Sequence, residues 1–148
     1  MFRMIMQTIC AGAGTVAFCV LFRVPMQYFI NCGWIGMVQW VVYLLVSHVA
    51  ENNTLAVFAA AFTIVFMSRY YAVKKRCPLT IFLVTGIFPL VPGAGIYRTV
   101  YYASTAIYTL AIREGFTAFK AAFAIAIAIA IGLRIPTRLF LKLNRREV

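Results

Sequence analysis

The stretch Phe88-Pro89-Leu90-Val91-Pro92-Gly93-Ala94-Gly95-Ile96-Tyr97-Arg98 places two prolines and two glycines inside a long apolar run. An unbroken helix does not fit it, because proline removes a backbone donor and clashes with the preceding turn, while glycine tolerates conformations that other residues avoid. In the hydrocarbon of a bilayer, such irregular backbone must lie against protein or a water-filled cavity. The stretch therefore predicts a broken membrane helix, the device with which secondary transporters build substrate sites.

The composition of the whole chain indicates a membrane protein. Of its 148 residues, 64% are hydrophobic and 11% are charged, and the mean hydropathy is +0.93. A soluble domain carries roughly 45–50% apolar and about 25% charged residues, and a core of this size does not hide the excess apolar surface from water. The sequence therefore predicts an all-α integral membrane protein, with a single transmembrane domain over residues 1–148.

The net charge of +11 comes from 14 lysines and arginines against three glutamates. Such a balance is typical of nucleic-acid binding, but the basic residues here lie at the ends of apolar runs, which is the pattern of membrane topology. We therefore expect a lipid bilayer and no nucleic acid as a partner. The cysteines form no Cys-x-x-Cys pair and His48 is the only histidine, so we expect neither a metal site nor a cofactor. The spans also lack the residue pairs of an intramembrane enzyme.

Five apolar runs define the predicted spans: residues 2–22, 32–50, 54–73, 78–112 and about 117–136. A polar turn over 48–53, with Asn53 as the N-cap, separates the second run from the third, and Arg113-Glu114-Gly115 separates the last two. The fourth run would form a helix of about 50 Å, too long for a bilayer core of about 30 Å. It must bend or break, and Pro89-Gly95 is where the sequence allows it. Four spans, with one run re-entrant or interfacial, is the alternative.

Two of these runs also fit another interpretation. A cleaved signal peptide is the alternative for the first run, but the run is too long and continues apolar past the cleavage-like Ala11-Gly12-Ala13. The last run alternates alanine and isoleucine over 124–131, which is typical of a strand. A lone strand does not span a bilayer and the chain has too few strands for a barrel, so we predict a helix.

The placement of charge predicts the orientation of the chain. With five spans, one side holds ten basic residues and the other holds four. The first set is Arg23, Arg69, Lys74, Lys75, Arg76, Arg134, Arg138, Lys142, Arg145 and Arg146; the second is Arg3, Arg98, Arg113 and Lys120. Basic loops stay in the cytoplasm, so we expect a multi-pass protein of the plasma (inner) membrane with its N-terminus outside and its C-terminus in the cytoplasm.

Several motifs together resemble the threonine/serine exporter family. They are Val-Leu-Phe-Arg-Val-Pro (20–25), a glycine-rich second helix, Ser-Arg-Tyr-Tyr (68–71), Pro-Leu-Val-Pro-Gly-Ala-Gly-Ile-Tyr (89–97) and Gly-Leu-Arg-Ile-Pro (132–136). The similarity is to the smaller half of the exporter, which occurs as a separate subunit or as the C-terminal half of a fused protein. The resemblance implies export of threonine and serine, or of a dicarboxylate such as succinate. It also implies a larger membrane subunit as partner; a homo-oligomer is a further expectation.

The predicted site is the break itself. A new helix starting near Gly95 would present free N–H groups and a partial positive charge to a carboxylate. Arg98, in the first turn of that helix, would add a guanidinium contact. The candidates for the substrate pathway are Pro89, Pro92, Gly93, Gly95, Tyr97, Arg98 and Gln39. The alternatives are a purely structural kink, an Arg98 that snorkels to the outer interface, and a Gln39 that hydrogen-bonds between helices.

Three further expectations concern the machinery around the break. Arg69 is expected to anchor the inner interface or to contact the partner subunit. The many hydroxyl groups between Tyr97 and Thr109 favour a surface that faces protein or water. No carboxylate lies clearly within a predicted span, so a proton-coupling group is expected on the partner. A non-transporting scaffold subunit of a larger membrane complex is the alternative function.

Overall fold

The structure, a computed structural model, describes residues 2–50 and 52–136. These residues contain six α-helices. They are α1 (Phe2–Leu21), α2 (Phe29–Ala50), α3 (Asn53–Lys75), α4 (Thr80–Ile87), α5 (Gly93–Ser104) and α6 (Tyr108–Arg134). Short 3-10 turns, Met26–Tyr28 and Phe88–Leu90, precede α2 and follow α4. These ranges contain no strand, and the alternating segment 124–131 lies inside α6 as predicted. The basic residues Arg138, Lys142, Arg145 and Arg146, which the charge pattern assigns to the cytoplasmic side, lie outside the described residues.

Four of these helices are long and apolar enough to cross a bilayer: α1, α2 with its preceding 3-10 turn, α3 and α6. A fifth span forms if α4, its 3-10 turn and α5 count as one element, bent by 47°. The chain is therefore an all-α membrane protein with four or five spans. The interruption predicted at Pro89-Gly95 is confirmed, and it extends from the end of α4 at Ile87 to the start of α5 at Gly93.

The turn that precedes the last span was predicted wrongly. Arg113-Glu114-Gly115 lies inside α6, which begins at Tyr108 rather than near residue 117, and the preceding helix ends at Ser104 rather than at residue 112. The chain turns at 105–107 instead, where Ala106 adopts a left-handed φ of 59°. Glu114 and Gly115 mislead because they face α5: Glu114 lies beside Arg98, and a Cβ added at Gly115 would lie 3.1 Å from Thr99 Cγ2.

The turn between α2 and α3 is shorter than the sequence predicts. His48 lies in the last turn of α2 rather than in a loop. The N-cap is Asn52, whose side chain accepts a hydrogen bond from the backbone N–H of Thr54 at 3.1 Å, so the prediction of Asn53 is wrong by one residue. Asn53 is the first residue of α3, and its Oδ1 accepts a hydrogen bond from the Tyr43 hydroxyl at 2.6 Å. Both asparagines thus form hydrogen bonds at the junction between α2 and α3.

Small residues let α1 and α2 approach closely. A Cβ added at Gly36 would lie 2.8 Å from Thr15 Cβ and 3.2 Å from the carbonyl oxygen of Ala11. The Thr15 hydroxyl donates a hydrogen bond to that same carbonyl at 2.8 Å, so it is satisfied within α1. Lipid tails are as apolar as the helices, so close packing of small residues, rather than the hydrophobic effect, is what drives such association.

The other helices add to this pair in a row, α1, α2, α3, α6 and α5, with α4 packed across α1, α2 and α3. The α3–α6 contact is equally close, since a Cβ at Gly132 would lie 2.6 Å from Val65 Cγ1. Arg69 of α3 closes it by donating hydrogen bonds from Nη1 to the carbonyl oxygens of Gly132 and Leu133, at 2.9 and 2.8 Å. These carbonyls belong to the last turn of α6, which has no intrahelical donors left for them.

Candidate functional site

The break consists of a 3-10 turn followed by an extended residue. Pro89 lies at the start of the Phe88–Leu90 turn, Val91 is extended with ψ 130°, and Pro92 precedes α5 with φ −75° and ψ 55°. Neither proline has an N–H to continue the helical hydrogen bonds. The Val91 N–H donates to the Phe88 carbonyl at 3.2 Å and the Gly93 N–H to the Val91 carbonyl at 2.7 Å. Local turns therefore satisfy the backbone that the prolines interrupt.

The α4 side of the break is anchored in the bundle. The ring of Phe88 stacks on Phe18 of α1 with ring centroids 4.4 Å apart, and it lies 5.1 Å from the ring of Phe22. Leu90 is buried and belongs to the core cluster together with residues of α2, α3 and α6. These contacts hold the bend at a defined place, so only the α5 side is open.

The α5 side begins at Gly93, two residues earlier than predicted. No side chain caps this helix start, and the first intrahelical bond joins the Ile96 N–H to the Pro92 carbonyl at 3.1 Å. The N–H groups of Ala94 and Gly95 precede that bond and belong to the set that a helix start leaves without an intrahelical partner. A Cβ added at Gly93 would meet no described heavy atom within 4 Å beyond its chain neighbours. The helix start is therefore accessible.

A groove of about 360 Å³ runs beside this helix start, between α5 and α6. Gly95 brings the two helices together, since a Cβ there would lie 3.1 Å from the Cβ of Ala118. The lining is mainly apolar and consists of Val91, Pro92, Ile96, Thr99, Val100, Gly115, Ala118, Phe119 and Ala122. The groove thus has a mainly apolar wall that begins at Val91 and Pro92, directly before the start of α5.

Arg98 lies in the second turn of α5, not in the first turn as expected, because the helix begins earlier. Its Nη1 is 3.9 Å from Oε2 of Glu114 on α6, and the two side chains are 61% and 29% exposed. Tyr97 is exposed as well and stacks on Tyr101 with ring centroids 6.3 Å apart. Sequence reasoning missed Glu114 because it assigned the residue to a turn; its spacing from Arg98 becomes informative only once α5 and α6 are antiparallel neighbours.

The Thr99, Ser104 and Thr105 hydroxyl groups of this segment are used in bonds to the preceding turn. Thr99 donates to the Gly95 carbonyl at 2.7 Å, Ser104 to that of Val100 at 2.8 Å, and Thr105 to that of Tyr101 at 3.1 Å. Such bonds to the preceding turn satisfy a hydroxyl without any neighbour. The number of hydroxyls therefore does not by itself indicate a polar pathway.

Gln39 and Arg69 lie away from the break. Gln39 is fully buried on α2, which packs on α1, α3 and α4, whereas α5 packs on α6. Its amide nitrogen and oxygen have no hydrogen-bond partner among the described residues. Arg69 holds the end of α6 through the Gly132 and Leu133 carbonyls. The structure thus places Pro92 in the lining of the groove and Gly95 against Ala118, with Gly93 and Arg98 on the same helix, and it leaves Gln39 and Arg69 elsewhere.

Comparison with known proteins identifies a family for the chain. No curated protein and no solved structure matches the chain. A family model described as "Threonine/Serine exporter, ThrE" matches residues 7–135, a range that includes every described helix wholly or in large part and the whole break. With the multi-pass helical fold and the interrupted span, this match shows that the chain belongs to the threonine/serine exporter family.

Proposed function

We propose that this chain is the smaller subunit of a two-component secondary exporter of the plasma membrane, which moves small carboxylate-bearing metabolites out of the cell. The substrates are threonine and serine, or a dicarboxylate such as succinate. The observation that carries the proposal is the open start of α5, whose uncapped amides follow Pro92, a residue that lines an apolar groove. Helix N-termini carry a partial positive charge and bind carboxylates through their free N–H groups.

In this proposal each part of the break has a role in binding. Pro89 and Pro92 stop the helix and expose the next helix start, and Gly93 keeps that start open. Gly95 sets the width of the groove, and Arg98 supplies a full positive charge one turn further on. Tyr97 lines the approach from the exposed face. Gln39 remains a candidate for a contact deeper in the pathway, which requires α2 to open from its neighbours.

A larger membrane subunit as partner is supported by the surface of α5. None of its residues is buried in this chain alone, although Ile96, Val100 and Tyr101 are large and more than half exposed. Arg98 is exposed on the same helix, and a charged side chain at a lipid surface is costly unless it faces protein or water. We infer that the partner covers this surface and completes the pathway. The basic residues at the ends of α3 and α6 support a cytoplasmic C-terminus.

The test is efflux of labelled threonine, serine and succinate from cells that produce this chain alone, the larger subunit alone, or both. Gly93→Leu fills the open helix start and Arg98→Ala removes the cation, so both are expected to abolish efflux at unchanged membrane level. Gly14→Leu and Arg113→Ala are the matched controls, since Gly14 is a helical glycine with open space and Arg113 is an exposed arginine of α6. Normal efflux from the two test variants would remove the site. Damage to partner stability alone would favour the scaffold function instead.

A further inference from the structure

One face of α6 presents a row of large apolar side chains that the described part of the chain leaves uncovered. The five residues follow one another at spacings of three or four, and each is 38–72% exposed. They are Ile112, Phe116, Phe119, Phe123 and Ile127. All but the first line a groove of about 330 Å³ between α3 and α6, to which α3 contributes Leu55 and Phe58. An apolar row with this spacing is the surface on which a helix packs against another helix.

The lining of this groove contains one charged side chain, Lys120, which is exposed. Its Nζ lies 5.1 Å from the centre of the Phe116 ring, and a ring face attracts a cation without neutralising it. Glu114, the one acidic side chain in residues 2–50 and 52–136, lies toward α5 beside Arg98. The groove is therefore apolar and has a single positive charge that no carboxylate within those ranges balances.

The two helices that form the groove are offset along their axes. Thr54, in the first turn of α3, lines the groove together with Lys120. Further along both helices, Val65 lies against Gly132, so α3 and α6 run parallel. Because α6 begins about three turns before Lys120, roughly 18 Å of it extends past the start of α3 at 1.5 Å per residue. The first residues of the apolar row lie on this extension.

Lipid alone does not accommodate this surface at either possible depth. If the bilayer ends at the start of α3, the extension of α6 places Ile112 and Phe116 in water, and exposed apolar patches of this kind mark interaction surfaces. If the hydrocarbon also covers the extension, Lys120 lies about three turns inside it, where an unpaired charge is costly. A protein helix with a carboxylate meets both conditions, because it covers the apolar row and pairs with the lysine.

We propose that the apolar row of α6 and the groove beside it bind a transmembrane helix of the larger subunit, and that this helix has an aspartate or glutamate opposite Lys120; the inference rests on the proposed two-component exporter. The apolar row supplies the packing surface, and the ion pair sets the depth at which the two helices meet. Removal of one member of a buried ion pair leaves an uncompensated charge. A single substitution of Lys120 should therefore separate the subunits.

The experiment uses membranes that contain this chain and a tagged larger subunit, with a photoreactive phenylalanine analogue in place of Phe123. Irradiation is expected to join the two chains in one adduct, which the tag identifies. Lys120→Met should reduce the adduct yield at least about tenfold, whereas Lys120→Arg keeps the charge and the yield. Arg113→Met is the matched control, since Arg113 is an exposed arginine of the same helix outside the groove lining, and it should leave the yield unchanged.

Reversal of both charges tests the pair itself. Mass spectrometry of the adduct locates the contacting segment of the larger subunit, which should contain an aspartate or glutamate within an apolar span. Lys120→Glu alone should abolish the adduct. The same variant combined with a lysine at that acidic position should restore it, a rescue that a misfolded chain does not show.

The inference fails if Lys120→Met leaves the adduct yield unchanged, or if the contacting segment of the larger subunit contains no acidic residue. It also fails if the photoreactive side chain labels only phospholipid or only a second copy of this chain. Absence of efflux with an intact, Lys120-dependent adduct would refute the exporter function and leave the docking surface in place. Normal efflux without an adduct would refute the docking surface alone.

Discussion

Replacement of Gly36 with alanine tests how closely α1 and α2 are packed. The added methyl group would lie 2.8 Å from Thr15 Cβ and 3.2 Å from the Ala11 carbonyl oxygen, and it would also overlap Thr15 Oγ1. Carbon atoms pack best at about 3.5–4.0 Å. Rotation of the Thr15 side chain moves Oγ1 but not Cβ, which is fixed to the backbone of α1. The two helices must therefore separate by about 1 Å to relieve the contact.

The cost of this separation is that of an overpacked core, about 1–3 kcal/mol of unfolding free energy. We expect the loss to appear in reversible unfolding of the purified protein in mixed detergent micelles, followed by circular dichroism. Gly36 and Thr15 both lie at the contact between α1 and α2, and both are buried. The loss should therefore appear whether or not a partner subunit is present.

Gly14 of α1 provides the matched control for this variant, since a Cβ added there would meet no described atom within 4 Å. Gly14→Ala is expected to leave the unfolding free energy unchanged or to raise it by up to about 1 kcal/mol, because alanine favours a helix over glycine. Equal stability of Gly36→Ala and Gly14→Ala would refute the account of the α1–α2 contact given above.

Three other predictions follow from single side chains. Gln39→Leu removes a buried amide without a described partner and should raise the unfolding free energy by about 1–3 kcal/mol; a loss of stability would show that the amide is paired after all. Arg69→Met removes the bonds to the Gly132 and Leu133 carbonyls and should cost about 1.5–3 kcal/mol, whereas an equal loss in Lys120→Met would point to a general charge effect. Burial raises the pKa of the Cys77 thiol, and the thiolate is the form that reacts. In a variant with no other cysteine, alkylation of Cys77 by a membrane-impermeant maleimide should therefore be slow at neutral pH and faster as the pH rises. The reaction should occur only from the cytoplasmic side, and labelling from outside alone would reverse the proposed orientation.

The break was predictable because its causes are local. Two prolines without an N–H and two glycines within residues 88–98 are enough to exclude a continuous helix, whatever surrounds them. The structure places the bend there, between Ile87 and Gly93. The predicted start of the new helix was two residues late, since Gly93 follows a proline that fits the position before the first helical turn.

The α5–α6 turn was not predictable because its causes are tertiary. Arg113, Glu114 and Gly115 have the composition of a turn, yet Glu114 lies beside Arg98 and Gly115 beside Thr99 across a helix pair. The real turn contains Ala106 with a left-handed φ, a conformation that alanine adopts rarely. A single sequence carries no signal for either fact, so these contacts become visible only once α5 and α6 are placed side by side.

The order in which these helices are synthesised affects when the bend between α4 and α5 can form. The neighbour on which α5 packs is α6, which is synthesised after it. A nascent polypeptide that has emerged only as far as residue 107 therefore contains both prolines and an anchored Phe88. It still lacks α6, the helix against which α5 packs. We therefore expect the angle of the bend to be set late in translation, when α6 enters the bilayer and brings Ala118 against Gly95.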